Sequence, residues 1–263
     1  MVFTICDVKA DKIGKQQNNC GPEDKVCTFW LTVEEKLTMR LGRNLVYPFD
    51  GKLYLYHVTK PDNNSKSINQ DDVITADGDI NSRVVYAVNG TIPGPQLEVY
   101  QGQVVIIHVK NNLRAEGLSM HWHGIHVKGT PWMDGVSYVT QCPIGPGQSF
   151  SYMFKITESS GTYWYHSHAG AQRTMGVAGA FIVKDKETNM TFDRTAIVTD
   201  WNHDWTSLES QLQHDNGMFI GKAKYRQTHA VDESIFPLMP FQSGLVNGKG
   251  PVSYTHLTLP TKA

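Results

Sequence analysis

Four histidines fall into two pairs of the form His-x-His: His121-Trp122-His123 and His166-Ser167-His168. In an extended strand, residues two apart point to the same face, so each pair offers two imidazoles to one site. Neutral imidazole is a good ligand for copper or zinc, and its basicity keeps it largely unprotonated near pH 7. Four such rings from two strands can grip one metal ion or furnish half the shell of a cluster. With 11 histidines in the chain, chance alone supplies about half of one such pair. Spacing by itself therefore balances metal binding evenly against structural or surface histidines. A zinc hydrolase built on these pairs would further need a carboxylate or third histidine to complete one tetrahedral site.

The remaining candidates carry less. His126 lies three residues from His123, on the opposite strand face, and reads as a non-ligand. His108 sits in an apolar Val/Ile run and reads as a hydrogen-bonded histidine on a strand face. His203, in the segment 200–205, reads as structural. Asp134 precedes Gly135, and an Asp-Gly step reads as a turn unless the fold carries the carboxylate to the metal. Trp122, Trp132 and Trp164 are expected to pack around the site. Cys142 has no adjacent histidine, so it does not look like the thiolate of a blue-copper site, and a disulfide is its expected fate.

Strands must position these groups. Short β-rich runs occur at 27–33, 52–58, 83–88, 96–100, 104–109, 149–154 and 180–183, punctuated by Asn89-Gly90, Pro93-Gly94-Pro95 and Gly145-Pro146-Gly147. Such runs and turns predict an all-β sandwich or barrel. Period-two geometry predicts both His-x-His pairs converging on one site with their imidazoles facing inward. Residues 60–82 are polar and read as a loop, and 207–213 reads as a short helix.

Composition removes several function classes. Lys+Arg number 24 against 25 Asp+Glu, so there is no basic footprint for nucleic acid. No apolar run approaches the ~20 residues of a membrane-spanning helix. An even set of cysteines (Cys6, Cys20, Cys27, Cys142) and sequons at Asn63, Asn89 and Asn189 point to a secreted, disulfide-bonded glycoprotein. Met1–Cys6 is too short for a signal-peptide core, so the true N-terminus is expected upstream. Residues 252–261 match one reading frame of a transposase sequencing adapter; 252–263 is therefore read as an artefact, His256 is discarded, and the natural chain is expected to continue past Gly250.

The flanks of the histidines are more specific than their spacing. The stretches 120–125, Gly129–Gly135, 140–148 and Gly161–His168, with Val88–Pro95 and Met175–Val183, closely resemble the N-terminal copper motifs of multicopper oxidases, and laccases above all. The resemblance is strong over roughly residues 75–185 and looser over 186–250. It implies an all-β, cupredoxin-like Greek-key barrel followed by an incomplete second cupredoxin domain. The division it implies is an irregular leader at 1–24, domain one with trinuclear copper ligands at 25–187, and the truncated start of domain two at 188–251.

The resemblance also implies roles. His121 would ligate a type 2 copper, His123, His166 and His168 a type 3 pair, and Asp134 would be the acidic residue assisting proton delivery. The implied reaction couples one-electron oxidation of a small phenol-type reductant to reduction of dioxygen to water. The family's other ligand motifs, His-x-x-His-x-His and His-Cys-His, do not occur here. Type 1 ligands are thus missing from this chain, which is expected to be inactive alone. The alternatives are a ferroxidase-type multicopper oxidase and a non-catalytic copper-binding cupredoxin module.

Overall fold

Alternation of apolar and polar residues decides which side of each strand is core. In the computed structural model, residues 20–58, 60–62, 64–186, 194–202 and 241–250 are described in full, and the short strands at 2–4, 227–229 and 235–237 by backbone alone. The segment 207–213, His203, and the tail from 251 onward lie outside the described residues. The described chain is nearly all β and divides into two compact units, one comprising Met1–Lys36 with Val85–Val198, the other Leu37–Val84 with Thr199–Ala263.

The first unit carries the histidine pairs. Its barrel strands are β1 (Val26–Leu37), β2 (Val84–Val88), β3 (Gly94–Tyr100), β4 (Val104–Asn111), β5 (Met120–His123), β6 (Ser149–Lys155), β7 (Gly161–Ser167) and β8 (Ala178–Lys184). They form two four-stranded sheets, ordered β6-β4-β1-β2 and β3-β8-β7-β5. β1 runs parallel to β4 and β3 parallel to β8, while β4–β6, β7–β8 and β5–β7 are antiparallel. Non-sequential neighbours of this kind are the mark of Greek-key rather than meander connection.

In the first sheet, Cys27, Phe29, Leu31 and Val33 of β1 and Val105, Ile107 and Val109 of β4 are buried, with Tyr152 and Phe154 of β6 beside them. The second sheet contributes Trp122, Tyr165, Phe181 and Val183 to the same core. Burying each large apolar side chain stabilises the fold by roughly 1.5–3 kcal/mol. Trp122 is at the centre of the aromatic packing, edge-on to Tyr152 at 5.1 Å and within 5.6 Å of Phe154. The Tyr152 hydroxyl also accepts the Met120 N–H at 2.9 Å, which ties β6 to the first residue of β5.

The strands expected from the residue pattern are present, and 60–82 is irregular apart from one 3-10 turn at Gln70–Asp72. Cys20 and Cys27 form a disulfide. Cys142 corrects an expectation: it is exposed and free, because it sits on a surface loop with no described thiol beside it. The second unit has its own small meander, Arg40–Leu41, Asn44–Phe49 and Lys52–Leu55, over a core of Met39, Val46, Leu53 and Val73.

Candidate metal centre

The antiparallel register of β5 and β7 sets His121 opposite His166, Trp122 opposite Tyr165, and His123 opposite Trp164. Trp122 and Tyr165 are fully buried in the core. Period two then sends His121, His123, Trp164 and His166 to the other face of the sheet. The inward orientation expected for the imidazoles is therefore corrected: the large aromatic residues between the histidines take the core side. His168 lies one residue past β7, where its N–H donates to the Ser119 carbonyl at 3.0 Å.

The rings do converge. Centroids of His121 stand 5.5 Å from His123, 5.3 Å from His166 and 5.5 Å from His168, and His166 and His168 are 5.9 Å apart. Ligand nitrogens of His121, His123 and His166 all lie within 4.8 Å of one another. His168 stands beside this trio rather than within it. Trp164 stacks against His166 at 4.2 Å and His123 at 5.0 Å, so its role is to wall the histidines. Trp132, expected to pack here, is instead 55% exposed.

Hydrogen bonds sort the nitrogens. His121 Nδ1 lies 2.7 Å from the Asp134 carbonyl oxygen, and His166 Nδ1 lies 2.9 Å from the Ser167 carbonyl oxygen. A carbonyl only accepts, so both Nδ1 atoms carry the proton and both Nε2 lone pairs are left for a metal. His166 Nε2 faces His123 Nδ1 at 3.4 Å. Burial, with smaller contributions from the charges of His121, Arg173 and His123, pushes His166 down to about 4, against the pull of its bond to Ser167. Burial, then His121, Arg173 and His168, also lowers His123. Clustered imidazoles whose nitrogens converge within 4.8 Å, two of them shifted toward the neutral form, fit a nitrogen-ligated metal such as copper.

Asp134 reaches the site through a tight loop. It caps the 3-10 turn Pro131–Met133, and its carboxylate Oδ1 comes to 3.3 Å from His121 Nδ1. Gly135 makes this approach possible: φ is +80°, and a Cβ there would overlap the Met120 carbonyl. Asp134 is thus a turn residue, as its Asp-Gly step suggested, and its carboxylate flanks His121.

Two other described histidines have partners of their own. His108 shares a 2.7 Å hydrogen bond with the Ser151 hydroxyl, on a strand face as expected. His126 pairs with Glu158 at 3.1 Å. Residue types and spacing gave no sign of Glu116, Ser119 or Gln172, whose polar groups lie beneath the histidine segments. Each is an ordinary polar residue, and only the fold brings it there.

Comparison with known proteins adds an independent line. Residues 69–188 match the multicopper oxidase family. Laccase-1 of Cryptococcus neoformans is 45% identical over 128 residues, which cover 46% of this chain and 20% of that protein. The L-ascorbate oxidase of Brassica rapa is 37% identical over 178 residues, covering 65% of this chain and 28% of that protein. The crystal structure of Fet3p, described as a multicopper oxidase that functions in iron import, superposes with a TM-score of 0.50 at 31% identity, over 69% of this chain and 28% of that one. The chain thus spans between a fifth and a third of the length of these relatives.

Proposed function

This chain carries a multicopper oxidase domain over residues 69–188, and from that premise we propose that it is the N-terminal part of a laccase-like, copper-dependent oxidase. In this reading His121 would hold a type 2 copper, and His123, His166 and His168 a type 3 pair. The observation that carries it is the imidazole cluster, with nitrogens of three histidines within 4.8 Å and two Nδ1 protons tied to backbone carbonyls. Copper, when bound, supplies one-electron redox chemistry that side chains lack.

The residues of this chain bind and orient. The Asp134 and Ser167 carbonyls would fix two imidazole tautomers, Trp164 would hold the His123 and His166 rings by contact, and the Asp134 carboxylate, 3.3 Å from His121 Nδ1, would pass protons toward the site. In the whole protein, four one-electron oxidations of a phenol-type reductant, with four protons, reduce one dioxygen to two waters. Laccase rests on the sequence character of Gly129–Gly135 and on Laccase-1 among the relatives. The similarity to Fet3p, a multicopper oxidase that functions in iron import, keeps a ferroxidase as the second reading. The Cys20–Cys27 disulfide favours an oxidising, extracellular setting. Among the described residues no helix is long and apolar enough to cross a membrane.

Titration of the purified 263-residue chain with copper tests the site. Saturable binding lost in His121→Ala and His166→Ala is expected, without oxygen consumption on a phenol. Binding unaffected by either substitution would refute the site. Full-length protein assayed on a phenol, ascorbate and ferrous iron then separates laccase from ascorbate oxidase and ferroxidase.

A further inference from the structure

Ser167 separates the two histidines of the second pair, so its side chain leaves the strand on the side opposite to theirs. There it is 3% exposed, and its hydroxyl donates to Gln172 Oε1 at 2.7 Å. Gln172 is itself 1% exposed. Its Nε2 donates to the Glu116 carboxylate at 3.0 Å and to the Gly117 carbonyl at 2.8 Å. The other Glu116 oxygen accepts the Tyr86 hydroxyl at 2.6 Å. Residues 116–119 lead directly into the first histidine pair, and the Ser119 carbonyl holds the His168 N–H. One buried side chain therefore joins the segment bearing His166 and His168 to the segment that delivers His121 and His123.

We propose that Gln172, braced by Glu116, is a positioning residue that sets the separation of the two His-x-His pairs, and so their fit to a metal. The physical reason is satisfaction at both ends. A buried amide whose oxygen and nitrogen both have partners holds its neighbours in one geometry, whereas an apolar residue of the same size would remove the acceptor of the Ser167 hydroxyl proton and the Gln172 donor to the Gly117 carbonyl. Ser167 transmits the constraint, since its carbonyl also accepts His166 Nδ1–H. Partners that orient metal-binding histidines commonly change metal affinity by about 10- to 100-fold when removed. The inference rests on the copper reading given above.

The test uses the 263-residue chain with Cu(II) as the probe, reading affinity by competition and ligand geometry by electron paramagnetic resonance. Gln172→Leu is expected to weaken copper binding about tenfold and to alter the resonance spectrum. Glu116→Gln should retain affinity and spectrum, because its amide oxygen still accepts from Gln172 while its amide nitrogen donates to the Tyr86 hydroxyl oxygen, whereas Glu116→Ala should not. Val46→Ala, in the separate core of Met39, Val46, Leu53 and Val73, should lower thermal stability without moving either copper readout. Should Gln172→Leu fail to fold, Gln172→Glu, which keeps the acceptor for Ser167 but loses the donor to Gly117 and sets a second carboxylate against Glu116, carries the same expectation. Wild-type affinity and spectrum in the folded clamp variants, alongside lost binding in His166→Ala, would overturn the clamp alone. Binding indifferent to His166→Ala would overturn the copper reading and the clamp with it.

Discussion

His166 lies directly across the β5–β7 pair from His121, their rings 5.3 Å apart, and each holds its Nδ1 proton on a main-chain carbonyl. The orientation of both rings is thereby set by backbone, which moves little, rather than by a long side chain. Two imidazoles are thus held side by side by the main chain, with the His166 Nε2 turned toward His123 Nδ1 at 3.4 Å.

This arrangement has a pH signature in the metal-free chain. His166 is pushed from 6.5 down to about 4, chiefly by burial. As pH falls below about 6.5 the unfolded chain takes up a proton that the folded chain refuses until about 4. Stability is therefore full above that window, falls across it and levels off below, by at most about 3 kcal/mol. Urea midpoints measured across the window should show the slope, and His166→Asn should flatten it.

Gly135 is expected to tolerate no side chain. Gly135→Ala would place a Cβ against the Met120 carbonyl at a φ of +80°, which costs more than about 1 kcal/mol. It would also push Asp134 away from His121. A lower melting temperature together with weaker copper binding is the expected pair of results; an unchanged melting temperature would contradict the close approach.

Asp134 should separate holding from proton supply. His121 is held by the Asp134 main-chain carbonyl at 2.7 Å, which Asp134→Asn keeps. Copper affinity of the chain should then change by no more than about 0.5 kcal/mol. In the full-length protein the same substitution should slow oxygen consumption, most at high pH where free protons are scarce. Equal activity at every pH would remove the carboxylate from proton delivery.

Asn89 should carry no glycan although it stands in a sequon. Its Nδ2, the atom a glycan would use, donates to the Trp30 carbonyl at 2.9 Å, and its Oδ1 accepts the Thr32 N–H at 2.7 Å. With φ of 51° at Asn89 and 80° at Gly90, the pair forms a tight turn that suits Asn-Gly for conformational reasons. Peptide mass spectrometry after secretion from a eukaryotic host should find Asn89 unmodified, and occupancy there would show that this turn opens before folding is complete.

Much of the site was legible because it depends on local periodicity. His121 with His123, and Trp122 between them, follow a rule of two that any strand obeys, and the turns at Asn89-Gly90 and Gly145-Pro146-Gly147 bound the strands by backbone chemistry alone. Local rules do not say which side of a sheet meets the core. That was decided by core packing, in which Trp122 and Tyr165 fill the barrel interior and the histidines take the other face of the sheet, where His166 is buried as well. Nor do they pair distant segments. The Asp134 carbonyl on His121 and the Gln172 amide between Ser167 and Gly117 exist only because the barrel brings their segments together. Cys142 shows the same limit, since a cysteine count invites a disulfide, but only proximity of two sulfurs can form one. Residue type and spacing thus determined which groups are available for chemistry. The tertiary packing alone decided which of their atoms face one another, because those distances are set by long-range strand pairing and burial.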